Sequence, residues 1–566
     1  MRTTQQLALA LALGLAALTA CGGGGPGPES PSAPLARIAG VFDPSGEPLE
    51  ARQWHLGARG VEVPAYGQTL DPQTGIANTG QHVAVAVVDG TVQISHPELQ
   101  GRLLSTHDVV DGDEAVAAWD AAPDAWRGTA VAGTIAAAAR GASEGGSGEG
   151  GRGVAPLADL HWFRVLSTQA RSPGQRLADA LSASVAASAR VINQSWAHPE
   201  GLALTALDRP WDVAMAELAQ RPNAPVWVAA AGDGGAAADG EALPLAGSMS
   251  SWDSYASAPQ VIAVGVTDAA GSAWASSEPG VNVLLAAPGA AVVTTDALGA
   301  AGVAPGDYTM DDSQGLFNGS AAAAAVTSGV VALMLQAKPT LSARDVAWIL
   351  ADTAAAVDCP AHVCAGWLAP APSAMASEAY SPKYGFGRVN ARQAVAAARD
   401  FSPLPPQRTC TSGRRYPVQQ TYSGLKIPNG TGLSVTASYA GFISAGCAIE
   451  RIERVELWLE VDASSMTAYD RVRIAGDLNI ALSSPSGAVS WFSRAHACRV
   501  GAQVDCGDMT GSHLDPEGRR HHGYRFSSVR HMGETLSDGA WTLEVQDLLT
   551  STAGTLNSWE LVLHGH

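Results

Sequence analysis

Asp89 closes the apolar run VAVAVV, a carboxylate at what reads as the end of a buried strand. Ser320 lies in FNGSAAAAAVTSGVV, a hydroxyl at the head of an alanine-rich stretch. A hydroxyl and a carboxylate make a covalent catalyst only with a base between them, which takes the hydroxyl proton while the carboxylate fixes its tautomer. The segment from Asp124 to Ala139, DAWRGTAVAGTIAAAA, reads as the opening of a buried helix with a glycine turn in front of it, and it carries Arg127. A guanidinium stays protonated at any ordinary pH, so Arg127 is no base. The histidines closest in sequence are His96, in an HPEL turn, and His107, read as a surface-loop residue. Asp233, in VWVAAAGDGG, would if ionised be an acceptor that repels developing negative charge.

The elements that must position these groups belong to a long chain. Its 566 residues, 46% hydrophobic and 15% charged, have a globular composition and suffice for two or three units with a large core. With 34 basic against 53 acidic residues the net charge is −19, which repels phosphate backbones and excludes nucleic acid as a partner. Met1-Arg2 leads into LALALALGLAAL and then Thr19-Ala20-Cys21, the layout of a secretory signal ending in small residues. Small residues directly before a cysteine resemble the bacterial lipobox, which implies lipidation at Cys21 and a membrane-anchored lipoprotein of the bacterial cell envelope, facing the periplasm or the exterior. Seven cysteines less Cys21 leave six, and six allow fifteen pairings. Local spacing suggests Cys359 with Cys364, Cys498 with Cys506, and Cys410 with Cys447 by elimination. Structure rather than metal is the expected role, since no CxxC pair with histidines accompanies them.

The Gly/Pro/Ser-rich GGGGPGPESPSAP after Cys21 reads as a flexible stalk. From Val83 onward short β-rich runs (VAVAVV, VINQSWA, VWVAAAG, VIAVGV) alternate with helical stretches, one opened by Gly128. Ser342 and Asp345 resemble a capped start for ARDVAWILADTA. Such alternation favours helices on both faces of a mainly parallel sheet. After Phe401 the Pro-rich FSPLPPQRTCTSGRR reads as a linker. Beyond it RVELWLEV, LNIALSSP and WTLEVQD, with no long helix, read as a small all-β sandwich or barrel. The expected organisation is a signal over 1–21, a stalk over 22–45, an α/β domain over 46–400, a linker over 401–424 and a β domain over 425–566.

Taken together, PLEARQWHL, VAVVDGTVQISHPEL, VINQSWA, SSEPGVNVLLAAPG, SGVVALMLQAKPTLSARDVAWIL and YGFGRVNARQAV resemble the kexin/furin branch of the subtilisin-like serine proteases. GDLNIALSSPSG, YRFSSVRHMGE and GTLNSWELVLHG resemble the P domain that follows the catalytic domain there. The likeness runs from about Pro48 to Gly565. It implies an α/β fold with a subtilisin-like, doubly wound, mainly parallel sheet, followed by an all-β, jelly-roll-like P domain. It also makes Asp89 the catalytic acid. The family phrase HGTHVAGTIAA has its base at the position of Arg127 and its second histidine at that of Ala130. The family nucleophile lies eight residues before the last glycine of GTSxAAPxxxG, and eight residues before Gly329 stands Ala321, with Ser320 at the family threonine. Making Ser320 the nucleophile requires an extra residue in a packed helix, which turns every later side chain by about 100°.

The resemblance further places Asp233 at the oxyanion asparagine and Ser195-Trp196-Ala197 on the substrate-binding strand. Arg127 facing Asp89 would form a two-pronged salt bridge. The implied protein is a pseudoprotease that binds a peptide or protein in a vestigial cleft, with an active serine endopeptidase as the alternative. It requires no cofactor. Relatives often bind calcium, and Asp108, Asp111, Asp113 and Glu114 are hard-oxygen ligands of that kind, although acidic surface loops usually just solvate.

Overall fold

A strand covered on both faces needs apolar residues at every position, and AVAVV, VWVAA and VIAVGV supply them. The computed structural model describes residues 49–63, 79–110, 119–120, 122–138, 150–166, 173–197, 203–205, 209–221, 223–235, 247–304, 306–309, 317–357, 380–418, 423–463, 468–496, 506–515, 518–549 and 552–566. The strands β1 (Ala84–Asp89), β2 (Leu103–Asp108), β3 (Asp159–Arg164), β4 (Val191–Gln194), β5 (Val226–Ala230), β6 (Val261–Thr267) and β7 (Val283–Pro288) form one sheet in the order β2-β3-β1-β4-β5-β6-β7, with every neighbouring pair parallel. Along β1, Val85 and Val87 enter one core while Ala86 and Val88 enter the other. The first core holds residues of α1 (Ala125–Ala136); the second holds residues of α2 (Pro173–Ala186) and α3 (Arg209–Ala219). The sheet is therefore doubly wound. Its order reverses direction between β3-β1 and β1-β4, and the crevice beyond the carboxyl ends of strands at such a switch point is where open α/β sheets bind ligands.

The first core also takes α4 (Ser320–Ala337), which is apolar on all sides and buried along most of its length. Helices α5 (Ala343–Asp352) and α6 (Ala391–Asp400) flank it. The expected cap of α5 is present: Ser342 Oγ accepts from the Asp345 amide, and the Asp345 carboxylate accepts from the Ser342 amide and hydroxyl. Replacing Ser342 by alanine strands the Asp345 N–H and is expected to cost about 1 kcal/mol, measured as a lower urea-unfolding free energy with α5 still folded. Gly128 does not open a helix. It lies within α1, where a Cβ would meet Thr91 O at 2.1 Å and Trp162 at 2.9 Å, so its role is close packing.

The carboxyl-terminal part is a sandwich of two antiparallel sheets. Its strands are β8 (Arg408–Thr411), β9 (Leu425–Lys426), β10 (Ser434–Tyr439), β11 (Ile452–Ala463), β12 (Leu478–Ser483), β13 (Val489–Ser493), β14 (Ser512–Leu514), β15 (Arg520–His522), β16 (Tyr524–Ser528), β17 (Trp541–Asp547) and β18 (Gly554–Gly565). One sheet runs β10-β17-β12-β13, the other β16-β11-β18-β8, and β14 pairs with β15 in a separate hairpin. Alternation sets the faces: Trp541, Leu543 and Val545 of β17 point inward while Thr542, Glu544 and Gln546 are half-buried on the other side. Two expectations need correction. Arg408–Thr411 pairs with β18, so these 4 residues of the supposed linker already belong to the sandwich, where the β-branched threonines suit an edge strand. A ten-residue helix, α7 (Ala468–Asp477), packs on β11 where none was expected.

The Cys410–Cys447 disulfide forms as expected and Cys506 is also disulfide-bonded, whereas Cys359, Cys364 and Cys498 lie outside the described residues, as do Cys21, the signal and the stalk. Sandwich and α/β domain are bonded through buried groups. Arg454 of β11 donates to the carbonyls of Ala258 and Val261, and the Tyr524 hydroxyl donates to that of Trp252. Trp252 stacks on His496.

Candidate active site

Asp89 is carried to the switch point by the last turn of pleat in β1 and is 2% exposed. Its Oδ1 accepts from the Gly90 amide at 2.7 Å, while Oδ2 has no partner. Burial pushes its pKa up to about 6; Arg127 and the Gly90 amide pull the other way and Asp124 adds to the rise. Arg127, in the first turn of α1, is exposed, and its side chain makes no ion pair or hydrogen bond among the described residues. The expected two-pronged bridge to Asp89 is thus not formed. Seating a guanidinium against so enclosed a carboxylate would desolvate both ions, a cost of several kcal/mol per ion before any attraction is returned. Arg127 acts on Asp89 only through its field.

Among the described residues no histidine is one of the groups that act on Asp89. His96 is buried as the cap of a short 3-10 turn, accepting from the Glu98 amide. His107 is not a loop residue: it lies in β2 and stacks on Phe163. His55, which sequence reasoning passed over, is fully buried with both ring nitrogens unpartnered; burial, and Arg152 after it, push its pKa down to about 3.

At the head of α4 the methyl of Ala321 is 1% exposed, and the Ala321 carbonyl accepts from Ser195 Oγ at 2.9 Å. Ser320 is 2% exposed; its Oγ accepts from the Gly232 amide at 3.2 Å. Its own amide donates to Asp233 Oδ1 at 2.7 Å. Asp233 therefore sits as an anion on the amino-terminal end of α4, where the helix dipole and unpaired amides favour negative charge. Gly319 makes room for it, with φ +104° and a virtual Cβ only 2.4 Å from Asp233 Oδ2. Gly232, at φ +111°, has its virtual Cβ 2.4 Å from Glu278, whose carboxylate accepts from the Gly234 amide. Sequence reasoning gave Asp233, if ionised, as an acceptor that repels an oxyanion, and missed its bond to the Ser320 amide at the head of α4; the Gly-Asp-Gly-Gly run was the available signal.

Ser195 and Trp196 follow β4 and their side chains face inward. Ser195 Oγ is also within 2.9 Å of Asn193 Oδ1, and the Trp196 indole donates to Val88 O. Both are buried and Ala197 is half-buried. These side chains lash the segment to β1 and α4, and the Trp196 carbonyl in turn accepts from Gln194 Nε2 at 3.1 Å. The structure thus brings Asp89, Ser195, Trp196, Ala197 and Asp233 to the carboxyl ends of the central strands β1, β4 and β5, with Ser195 bonded to Ala321 and Asp233 to Ser320 at the head of α4. Of the proposed calcium ligands, Asp108 is paired with Arg164, and Asp111, Asp113 and Glu114 lie outside the described residues. Among the described residues no group of three or more His, Cys, Asp or Glu side chains is placed to hold a metal.

Residues 80–387 match the model of the Subtilase family, and residues 464–563 that of the Proprotein convertase P-domain. The chain belongs to the subtilase family and carries a P domain. It is 28% identical to an extracellular serine protease of Aeromonas sobria across 90% of this chain and 85% of that one. It is also 28% identical to human proprotein convertase subtilisin/kexin type 6, over 44% of this chain and 22% of the convertase. The crystal structure of the A. sobria serine protease in complex with a chaperone superposes with a TM-score of 0.71 at 24% identity, covering 92% of this chain and 95% of that one.

Proposed function

We propose that this subtilase binds an extended peptide or protein segment in its cleft without cutting it. One observation carries the reading: the buried Asp89 has an unpartnered oxygen where an imidazole would have to dock, and Arg127, at the base position, cannot accept a proton. The methyl of Ala321 at the nucleophile position and the anion of Asp233 on the helix end support it. A segment at Ser195–Ala197 anchored through its Ser195 and Trp196 side chains beside β4 suits strand addition, which gives affinity through main-chain hydrogen bonds and needs no triad. The signal and Cys21 support export and a lipid tether at the bacterial envelope, and the net charge of −19 speaks against nucleic acid.

The rival is an active endopeptidase, favoured by the likeness to the A. sobria protease along nearly the whole chain. Purified full-length protein is to be tested with a fluorophosphonate probe and a fluorogenic peptide library, beside Asp89→Ala. The expected result is no labelling, no turnover in either protein, and saturable binding of unlabelled extended peptides by anisotropy. Labelling at Ser320, or turnover that Asp89→Ala abolishes, would establish the enzyme reading instead.

A further inference from the structure

Asp547 is the last residue of β17 and continues that strand's inward phase, so the alternation that buries Trp541, Leu543 and Val545 also buries a carboxylate. It is 0% exposed and neither Oδ1 nor Oδ2 has a hydrogen-bond partner; no other buried carboxylate among the described residues lacks partners at both oxygens. Asp477, the last residue of α7, is 4% exposed and near enough to disfavour charge on Asp547. The backbone holds the two together: Leu478 is the cross-strand partner of Asp547, and the Leu548 amide donates to Asp477 O at 3.0 Å. The amides of Gly430 and Leu549 lie beside the Asp547 carboxylate without reaching hydrogen-bond geometry. Thr552 Oγ1, in the connection from β17 to β18, is likewise buried and unpartnered.

The sandwich treats its other enclosed acids differently. Glu456 faces His564, Glu453 faces Arg344 and His566, Glu560 faces His521, and Glu534 faces His531. No basic side chain is among the groups acting on Asp547. A carboxylate withdrawn from water without a counter-charge is expensive, and a second one beside it raises that cost. An oxygen-only set with no sulfur or imidazole suits a hard cation, and Ca²⁺ tolerates irregular sets of carboxylates, carbonyls and water. We propose that Asp547 and Asp477 are the carboxylate ligands of a Ca²⁺ site that ties α7, β12 and β17 together at one end of the P domain. The site is remote in sequence from the cleft residues and does not depend on whether the cleft cuts.

The test uses the full chain, stripped with EGTA and titrated with CaCl₂ at neutral pH. Thermal unfolding and equilibrium dialysis with ⁴⁵Ca²⁺ are measured on wild type, Asp547→Asn and Asp477→Asn. Wild type is expected to gain roughly 5 °C at saturating Ca²⁺. Each variant should bind one Ca²⁺ fewer per chain, lose that part of the gain, and match or exceed stripped wild type without calcium. An unchanged stoichiometry in both variants, or an equal calcium gain in all three proteins, overturns the proposal. If both asparagine variants fail to fold, Asp547→Ser takes their place with the same two outcomes, and a wild type that binds no Ca²⁺ refutes the proposal outright.

Discussion

Arg127→His and Ala321→Ser introduced together are expected to raise peptide-ester hydrolysis by about 10³-fold or more, while either alone stays at background. In subtilisin, losing the nucleophile or the base alone costs about as much as losing the whole triad, roughly 2 × 10⁶ in kcat, because the residues act as a unit. The same non-additivity runs in reverse. A serine at 321 without a base keeps its proton, and a histidine at 127 without a hydroxyl has nothing to deprotonate. Position 127 is close enough for its charge to act on Asp89, and Asp89 Oδ2 is free to accept from a ring N–H. The recovery should stop short of a full protease, since Asp233 still presents an anion where a developing oxyanion needs donors. Adding Asp233→Asn is expected to contribute a further ~10²-fold, the usual worth of one oxyanion donor. The readouts are kcat/KM on an activated ester and fluorophosphonate labelling at position 321. A double variant silent even with Asp233→Asn would mean that the cleft no longer assembles the reacting groups, whatever residues occupy it.

The fold was legible where one physical rule governs a stretch. Uninterrupted apolar runs marked β1, β5 and β6 because both sheet faces are covered, and the Ser342–Asp345 spacing announced a cap that needs only local geometry. The reading of Arg127 as no base rests on a property of the guanidinium itself, which stays protonated whatever surrounds it. What escaped depended on three-dimensional neighbours. Gly128 looked like a turn because its packing partner, Thr91, is 37 residues away. Arg408–Thr411 looked like linker because β18, the strand that recruits it, comes more than 140 residues later. The bridge from Arg127 to Asp89 was expected from the family resemblance and the fork geometry of a guanidinium; whether that group turns inward is a balance of desolvation and attraction that spacing does not report. The bond of Asp233 to the head of α4 depends on Gly319, distant in sequence, yielding space.

Asp89→Asn is expected to stabilise the protein at pH 8 by about 3 kcal/mol and to make no difference near pH 3. Asp89 has its pKa raised in the folded state from 3.8 to about 6, chiefly by burial. Below pH 3.8 the carboxyl is protonated in folded and unfolded chains alike. Between about pH 4 and 6 the unfolded chain gives up its proton first, so the group's contribution to stability falls as pH rises, and above pH 6 the full penalty is in place. A rise of that size corresponds to about 3 kcal/mol. Asparagine keeps an oxygen for the Gly90 amide and never ionises, so it escapes the penalty. Urea unfolding of both proteins at pH 3, 5 and 8 measures the difference, in which all other titrating groups cancel. A working triad offsets the buried charge with an imidazole; here only the field of exposed Arg127 and one amide oppose it. Arg127→Ala should therefore lower stability only slightly at pH 8. A large loss in that variant, together with no gain from Asp89→Asn, would show that the guanidinium does close onto the carboxylate in solution. In that case the buried charge at the carboxyl end of β1 is neutralised rather than left without a counter-ion.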